Sequence, residues 1–227
     1  MVSLVTGALD RPRRFQGGVW PRRTQGGWLW PRLLLPYLAV GLGWVAFGSA
    51  WAAIGCYHLG ILALAGKDLG PRLRSLVRGG APRRTIATVL LLPPAALIFL
   101  RWLPQLLRPG LDPGAWLESY GLSGSGLLIL ALIYGCLHPF LEEVHYQPLR
   151  ARTPLLAHLS YAGYHGIVLY ACFREWAVAG TVVSLAGVSF LFGTFERGEA
   201  GPRLSLLVHL VADLVVAAIA LRWGGWF

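Results

Sequence analysis

Charged side chains are scarce in this sequence. Aspartate, glutamate, lysine and arginine make up 13% of its 227 residues, whereas soluble domains carry about 25%. Hydrophobic residues reach 56%, and the mean hydropathy is +0.57. This composition excludes an ordinary water-soluble domain and predicts a chain that lies largely within a membrane.

Cysteine is also scarce. The chain has three, Cys56, Cys136 and Cys172, each inside an apolar run and none in a CxxC pair. An odd number without such spacing excludes a disulfide framework, so we interpret them as small core residues. The sequence before Leu33 lacks the apolar core and cleavage site of a secretory signal, and we therefore expect no removable signal peptide.

Acidic residues are half as common as basic ones, ten against twenty, which gives a net charge of +10. The basic residues concentrate outside the apolar runs: six arginines precede Leu33, and six more basic residues lie between Lys67 and Arg84. Nucleic-acid binding is one explanation of such a charge. Short basic loops that stay on the cytoplasmic side of a membrane explain it more simply. We therefore expect membrane lipid around the protein and no nucleic-acid partner.

Long uncharged runs fill the rest of the chain. Leu33–Gly66 has 34 residues without a charge, which predicts either one long tilted helix or two short helices that turn near Gly48 and Ser49. Five further apolar runs follow: Ile86–Leu100, Ser119–Leu141, Thr153–Phe173, Trp176–Phe195 and Leu204–Leu221. The predicted fold is an all-α, polytopic membrane helix bundle of six to seven transmembrane helices.

The charge pattern also predicts organisation and orientation. We expect a basic cytoplasmic N-terminal segment over 1–32, N-terminal transmembrane helices and loops over 33–118, and a membrane core over 119–227. Loops with clear arginine content are expected inside, and loops with little are expected outside. The inside set is the N-terminus, 67–84, 142–152 and 196–203; the outside set is 101–118, 174–175 and the C-terminus. This arrangement suits a multi-pass protein of a prokaryotic cytoplasmic (inner) membrane.

Ionisable residues inside apolar runs are the candidates for function, because each costs roughly 2.5–3.5 kcal/mol to insert. Four places qualify: Glu142 with Glu143, His165, the pair His209 and Asp213, and the histidines His138 and His145 that flank Glu142. His209 and Asp213 are four residues apart and share a helical face. Two other histidines, His58 and His158, are expected to face the membrane interface.

Three of these places fall into an ordered set of motifs. They are Glu142-Glu143-Val-His-Tyr-Gln147, then Tyr161-Ala-Gly-Tyr-His165, then His209-Leu-Val-Ala-Asp213. Their order and spacing resemble the EExxxR, FxxxH and HxxxN/B motifs of the CAAX-protease and bacteriocin-processing (CPBP, also called Abi) family. The resemblance covers about Leu122 to Ala220. Each motif alone is weak, and the signal comes from three in order on separate predicted helices.

The resemblance implies intramembrane hydrolysis of a peptide bond without a metal or cofactor. Glu142 would be the general base that deprotonates a water molecule, and His165 would orient or share that proton. His209 and Asp213 would stabilise the oxyanion, or Asp213 would orient His209. A peptide or a prenylated protein would be the substrate. Independently of the resemblance, a dry chamber suits a carboxylate base and strengthens the donors that face an oxyanion.

The sequence departs from the family pattern at two positions. Gln147 stands where the first motif has arginine, and a neutral amide cannot form an ion pair with Glu143. The spacing allows a hydrogen bond between Glu143 and Gln147, and Arg150, seven residues after Glu143, could supply the missing charge. Tyr161 replaces phenylalanine, which retains the aromatic ring.

Other functions remain open at this point. An inactive family-related protein could act as a scaffold or as a subunit of a membrane complex. A metal site is a further alternative, because the Glu142-xx-His145 spacing matches carboxylate-bridged di-iron bundles, but the apolar helices contain no second pair of this kind. A transporter has less support, since no paired broken helices are predicted.

Overall fold

The computed structural model describes residues 28–77, 97–198 and 201–227, and all of the regular secondary structure in these ranges is helical. This confirms the predicted all-α class. The helices are α1 (Leu29–Val40), which continues as π-helix over Gly41–Ala46, α2 (Ala50–Ala65), α3 (Leu69–Val77), α4 (residues 97–106), α5 (Pro113–Ser119), α6 (Gly124–Leu132), α7 (His138–Arg152), α8 (Pro154–Cys172), α9 (Glu175–Arg197) and α10 (Gly201–Trp223).

Membrane character is evident in both length and surface. Four helical segments of the described chain are long and apolar enough to cross a membrane: Leu29–Ala46, Gly124–Arg152, Glu175–Arg197 and Gly201–Trp223. Large apolar side chains such as Val45, Leu59 and Val183 lie exposed on the outside of the bundle. A soluble protein rarely exposes apolar surface on this scale, whereas lipid tails cover it without cost.

The uncharged run Leu33–Gly66 forms two helices rather than one. The chain breaks after the π-helical stretch, where Gly48 has a φ of +57°. Ser49 then caps α2, because its side-chain oxygen accepts a hydrogen bond from Ala52 N at 3.2 Å. The predicted run Ile86–Leu100 lies outside the described residues except for its last four.

Helices α6 and α7 form one continuous helical rod that passes through the centre of the bundle. Between them the five residues Ile133–Leu137 are π-helical. Pro139 explains this irregularity, since it has no N–H to return to the carbonyl four residues earlier. A π-helical turn absorbs such a fault without ending the helix. The rod therefore carries Glu142 and Glu143 in its interior, and neither acid lies at a helix end.

Two prolines inside helices each release a backbone carbonyl that another helix then satisfies. Pro36 in α1 leaves the Arg32 carbonyl without its intrahelical donor, and His145 Nε2 of α7 lies 2.9 Å from that oxygen. Pro148 in α7 does the same for the Val144 carbonyl, which accepts from Arg72 Nη1 of α3 at 3.4 Å. These bonds join α1 and α3 to the central rod.

The main core joins the N-terminal helices to the later ones. Buried side chains from α1, α2, α7 and α8 form one hydrophobic cluster, which includes Leu33, Ile61, Tyr146, Leu149 and Tyr161. Helix α10 packs on α6, α7 and α9, and α9 also lies along α8. The polar side chains of α2, α7, α8 and α10 consequently meet in the interior.

The proline-released carbonyl of Arg32 makes a testable contribution to stability. We expect His145→Phe, which keeps the aromatic packing but removes the donor, to lower the free energy of unfolding by about 1–3 kcal/mol, because a buried carbonyl loses its partner. In a Pro36→Ala background the same substitution should cost about 1 kcal/mol less, since residue 36 then donates to that carbonyl. Unfolding in detergent gives the four stabilities of the cycle. Equal losses in the two backgrounds would contradict this assignment.

Candidate active site

Glu142 lies at the centre of a set of polar side chains from four helices. It has 0% of its surface exposed. Tyr57 of α2 donates its hydroxyl to Glu142 Oε1 at 2.9 Å, and Tyr164 of α8 donates to the same oxygen. The other oxygen, Oε2, lies 3.1 Å from His209 Nε2 of α10 and 3.7 Å from His138 Nε2 of α7. The carboxylate is thus held on one side and faces two imidazoles on the other.

The two carboxylate oxygens of Glu142 differ in their hydrogen bonding. Oε1 receives two phenol donors, whereas Oε2 has no hydrogen-bond partner of its own within the described part of the chain. A carboxylate oxygen that accepts no hydrogen bond retains lone pairs for a proton or a cation. Oε2 is therefore the oxygen of this residue that remains open to a proton or a cation.

His209 bridges three carboxylates. Its Nδ1–H donates to Glu143 Oε1 at 3.0 Å, while Nε2 lies 3.1 Å from Glu142 Oε2 and 3.6 Å from Asp213 Oδ2. A doubly protonated imidazole offers a donor at each nitrogen and carries the positive charge that three acids favour. His209 and Asp213 are only 3% and 6% exposed, so these contacts lie inside the bundle.

Glu143 belongs to a buried ion-pair network that connects α7 to α9. Arg150, with 0% exposure, donates through Nη2 to Glu143 Oε2 and also to Glu196. Its Nε lies 3.1 Å from Glu196 Oε1. Arg150 therefore supplies Glu143 with the positive partner that Gln147, at the arginine position of the motif, cannot provide. The two described residues Glu143 and Gln147 form no hydrogen bond, and Gln147 Oε1 has no hydrogen-bond partner among the residues that the structure describes.

His165 lies beside the site and packs against Tyr164, one of the donors to Glu142. Its Nδ1–H donates to the Tyr161 carbonyl at 2.7 Å, and no direct hydrogen bond or ion pair joins these two described side chains, His165 and Glu142. Its ring lies 4.0 Å, centre to centre, from that of Tyr164, whose hydroxyl donates to Glu142. Tyr161 packs edge-on against the His209 ring at 5.9 Å. The second motif thus supports the site from α8.

Two histidines differ from their predicted surroundings. His58 and His158 were expected at the interface, and that prediction is wrong, because they are 8% and 7% exposed. His58 Nε2 lies 2.9 Å from His138 Nδ1, and His158 Nδ1 lies 2.9 Å from Ser189 Oγ. Position within an apolar run could not reveal this, since a helical residue near an end is still buried when a partner covers it.

Sequence reasoning missed Tyr57 and Tyr164, the two donors to Glu142. Tyr164 lies next to His165, inside the second motif, and this position could have indicated that it belongs to the site. Tyr57 stands 85 residues before Glu142 in a helix with no motif. His145, by contrast, is a predicted neighbour of Glu142, but its Nε2 contacts the Arg32 carbonyl instead.

Comparison of this chain with models of protein families, with curated proteins and with solved structures returned no match.

The buried network around Arg150 should be needed for stability. We expect Arg150→Met to lower the free energy of unfolding by about 3–5 kcal/mol, because Glu143 and Glu196 then lose their shared cation in a dry interior. Arg152→Met, which removes an exposed charge two residues later, should change it by less than about 0.5 kcal/mol. Thermal unfolding in a lipid-free detergent measures both. Equal effects of the two substitutions would contradict a stabilising role of the ion pairs.

Proposed function

We propose that this protein is a membrane-embedded endopeptidase of the glutamic type, similar to the CPBP family, and that Glu142 activates the water that attacks a peptide bond. One observation carries the proposal. Glu142 Oε2 is buried and lies 3.1 Å from His209 Nε2, and His209 also contacts Asp213. A carboxylate oxygen that keeps a free lone pair, beside a cationic donor, is what hydrolysis by general base and oxyanion stabilisation requires.

The contacts suggest how proton transfer to Glu142 is coupled to stabilisation of the oxyanion by His209. Glu142 Oε2 accepts a proton from water, and the carboxyl thereby loses its charge. Its attraction for His209 Nε2–H then weakens, and that donor becomes available to the oxygen of the attacked carbonyl. When the C–N bond of the peptide breaks, Glu142 returns its proton to the leaving amine. Asp213 remains 3.6 Å from Nε2 and favours the charged imidazole. In this proposal Asp213 orients His209 and stabilises its protonated form. His165 positions Tyr164, which donates to Glu142.

The remaining assignments follow from the same proposal. Because Glu142 and Glu143 have no exposed surface, a substrate must separate helices before it reaches them. A peptide or a prenylated protein end is the substrate class. The location is a prokaryotic cytoplasmic membrane. Helices α2 and α8, of 16 and 19 residues, would add two crossings to the four long apolar segments, giving six.

Removal of the base tests the proposal directly. We expect Glu142→Gln to lower the rate of peptide hydrolysis by about 10²–10⁴-fold, the usual contribution of a positioned general base. Glu118→Gln, at an exposed glutamate outside the site, should leave the rate unchanged. The assay follows internally quenched peptides with a farnesylated CAAX end and with the same end unprenylated, in the purified protein. Thermal unfolding checks that both variants fold.

Two results would overturn the proposal. If Glu142→Gln kept the wild-type rate, Glu142 would not be the base. If the folded wild-type protein cleaved neither peptide, the alternative of an inactive family-related scaffold or subunit of a membrane complex would be favoured.

One observation favours a second candidate, a metal-dependent hydrolase at the same place. His138, Glu142 and His209 each offer one ligand atom, and these atoms lie within 4.8 Å of one another. The nitrogen–oxygen separations of 3.1 and 3.7 Å bracket the roughly 3.4 Å edge of a tetrahedral zinc site. Glu143 contacts the second nitrogen of His209, as carboxylates often do at metal-bound histidines. A bound zinc would activate water itself and make Glu142 a ligand.

Metal content separates the two candidates. We expect the purified protein to hold far less than one metal per chain and to keep its hydrolysis rate after treatment with a chelator, because in the favoured proposal Glu142 acts without a metal. Stoichiometric zinc that is lost in His138→Ala but kept in His158→Ala would support the second candidate instead. Elemental analysis of the three proteins gives this result even if no peptide is cleaved.

A further inference from the structure

The two ends of the bundle differ in charge. One end is formed by the start of α1, the end of α2, helix α3 and the α7–α8 and α9–α10 junctions. Among the described residues, its basic side chains are Arg32, Lys67, Arg72, Arg74, Arg150, Arg152, Arg197 and Arg203, and its acidic ones are Asp68 and Glu196. The opposite end is nearly balanced, with Arg101, Arg108, Arg174 and Arg222 against Asp112, Glu118 and Glu175. The first end, called here the basic end, has a strong excess of cations.

An open cavity of about 250 Å³ lies in this basic end, between the start of α1, the end of α2 and the end of α7. It is larger than the roughly 150 Å³ cavity that holds a benzene ring. Four of its lining residues are cationic: Arg32, Lys67, Arg72 and Arg152. Its apolar lining is formed by Leu29, Leu64, Ala65, Pro148 and Leu149. It therefore offers positive charge and apolar contact together.

The cations of the cavity have different roles. Arg72 forms an ion pair at 3.2 Å with Asp68, the only acid in the lining, so that acid is neutralised. Arg32 donates to the Leu64 carbonyl at 2.5 Å and covers an oxygen at the end of α2 that would otherwise repel an anion. Lys67 and Arg152 are exposed and have no acidic partner in the described ranges. Lys67 and Arg152 thus remain for a ligand, and the bonded side chains of Arg32 and Arg72 add positive charge behind them.

The surroundings of the cavity suit a lipid. Trp28 lines it and is 56% exposed, as expected of a side chain at the level of lipid headgroups. Further along the same two helices, α1 and α2, Leu34 and Leu62 are exposed apolar side chains on the way to the membrane interior. A headgroup in the cavity would leave its acyl chains along this surface. A free anion would use the charge but not the apolar surface.

We propose that this cavity binds the phosphate group of an anionic phospholipid, with Lys67 and Arg152 as its direct contacts and Arg32 behind them. The lipid would come from the membrane leaflet at the basic end, where anionic headgroups meet basic pockets between helices. It would bridge α1, α2 and α7, and so stabilise the rod that carries Glu142. The inference does not depend on whether the protein cleaves peptides.

The test compares two pairs of substitutions that remove equal charge from the basic end. Lys67→Gln with Arg152→Gln empties the cavity of its exposed cations, and Arg74→Gln with Arg203→Gln removes two exposed cations that do not line it. Native mass spectrometry from detergent measures the affinity of phosphatidylglycerol for each protein, with phosphatidylcholine as the zwitterionic comparison. Thermal unfolding without lipid checks that all three proteins are equally folded.

We expect the wild type and the control pair to retain phosphatidylglycerol in preference to phosphatidylcholine. The cavity pair should bind it about 30-fold more weakly, because each cation near an anionic headgroup accounts for about a fivefold change. Phosphatidylglycerol should also raise the unfolding temperature of the wild type and of the control pair, but not of the cavity pair.

Three results would overturn the proposal. An equal loss of affinity in both pairs would mean that general charge, not the cavity, attracts the lipid. Equal retention of the two lipids by the wild type would exclude recognition of an anionic headgroup. Displacement of phosphatidylglycerol by inorganic phosphate at the same concentration would show a site for the free ion instead of a lipid.

Discussion

Burial of two adjacent carboxylates is the constraint on which the arrangement of this bundle depends. Each buried charge costs several kcal/mol unless it is paired and hydrogen-bonded. Glu143 is compensated by Arg150 and His209, and Glu142 by two phenols and the same His209. The compensating groups come from α2, α7, α8 and α10, and Arg150 also recruits Glu196 of α9. Moving any one of these helices away from the others leaves a buried acid without one of its partners.

Buried backbone carbonyls need partners for the same reason as the buried acids. An unpaired carbonyl inside a membrane protein is as costly as an unpaired side chain, so a proline within a helix needs a compensating donor. Here the donors are His145 for the carbonyl released by Pro36 and Arg72 for the one released by Pro148. Both bonds hold the central rod against its neighbours close to Glu142. The irregularities of α1 and α7 thereby position the site, and the π-helical turn before His138 sets which side chains of the rod face it.

Much of the candidate site could be recognised from residue type and spacing alone. Glu142, Glu143, His209 and Asp213 stand out because ionisable groups in apolar runs are expensive, and the four lie in contact. Arg150, which its spacing offered as a charged partner for Glu143, does contact that residue from one turn beyond Gln147. Tyr57 and His58 could not be assigned, because a side chain in a uniformly apolar helix gives no sign of which neighbour it faces.

Composition and periodicity by themselves determined that this chain is a helical membrane protein, because apolar runs of that length satisfy their backbone only as helices. They also identified the ionisable side chains in apolar runs, whose insertion into a membrane costs free energy. Only the tertiary structure decided which of those groups meet: that His209 links two glutamates, that His165 packs on Tyr164 beside the site, and that His58 and His158 are buried. The reason is physical, because spacing along one helix defines a shared face, whereas contact between helices depends on the packing of the whole bundle.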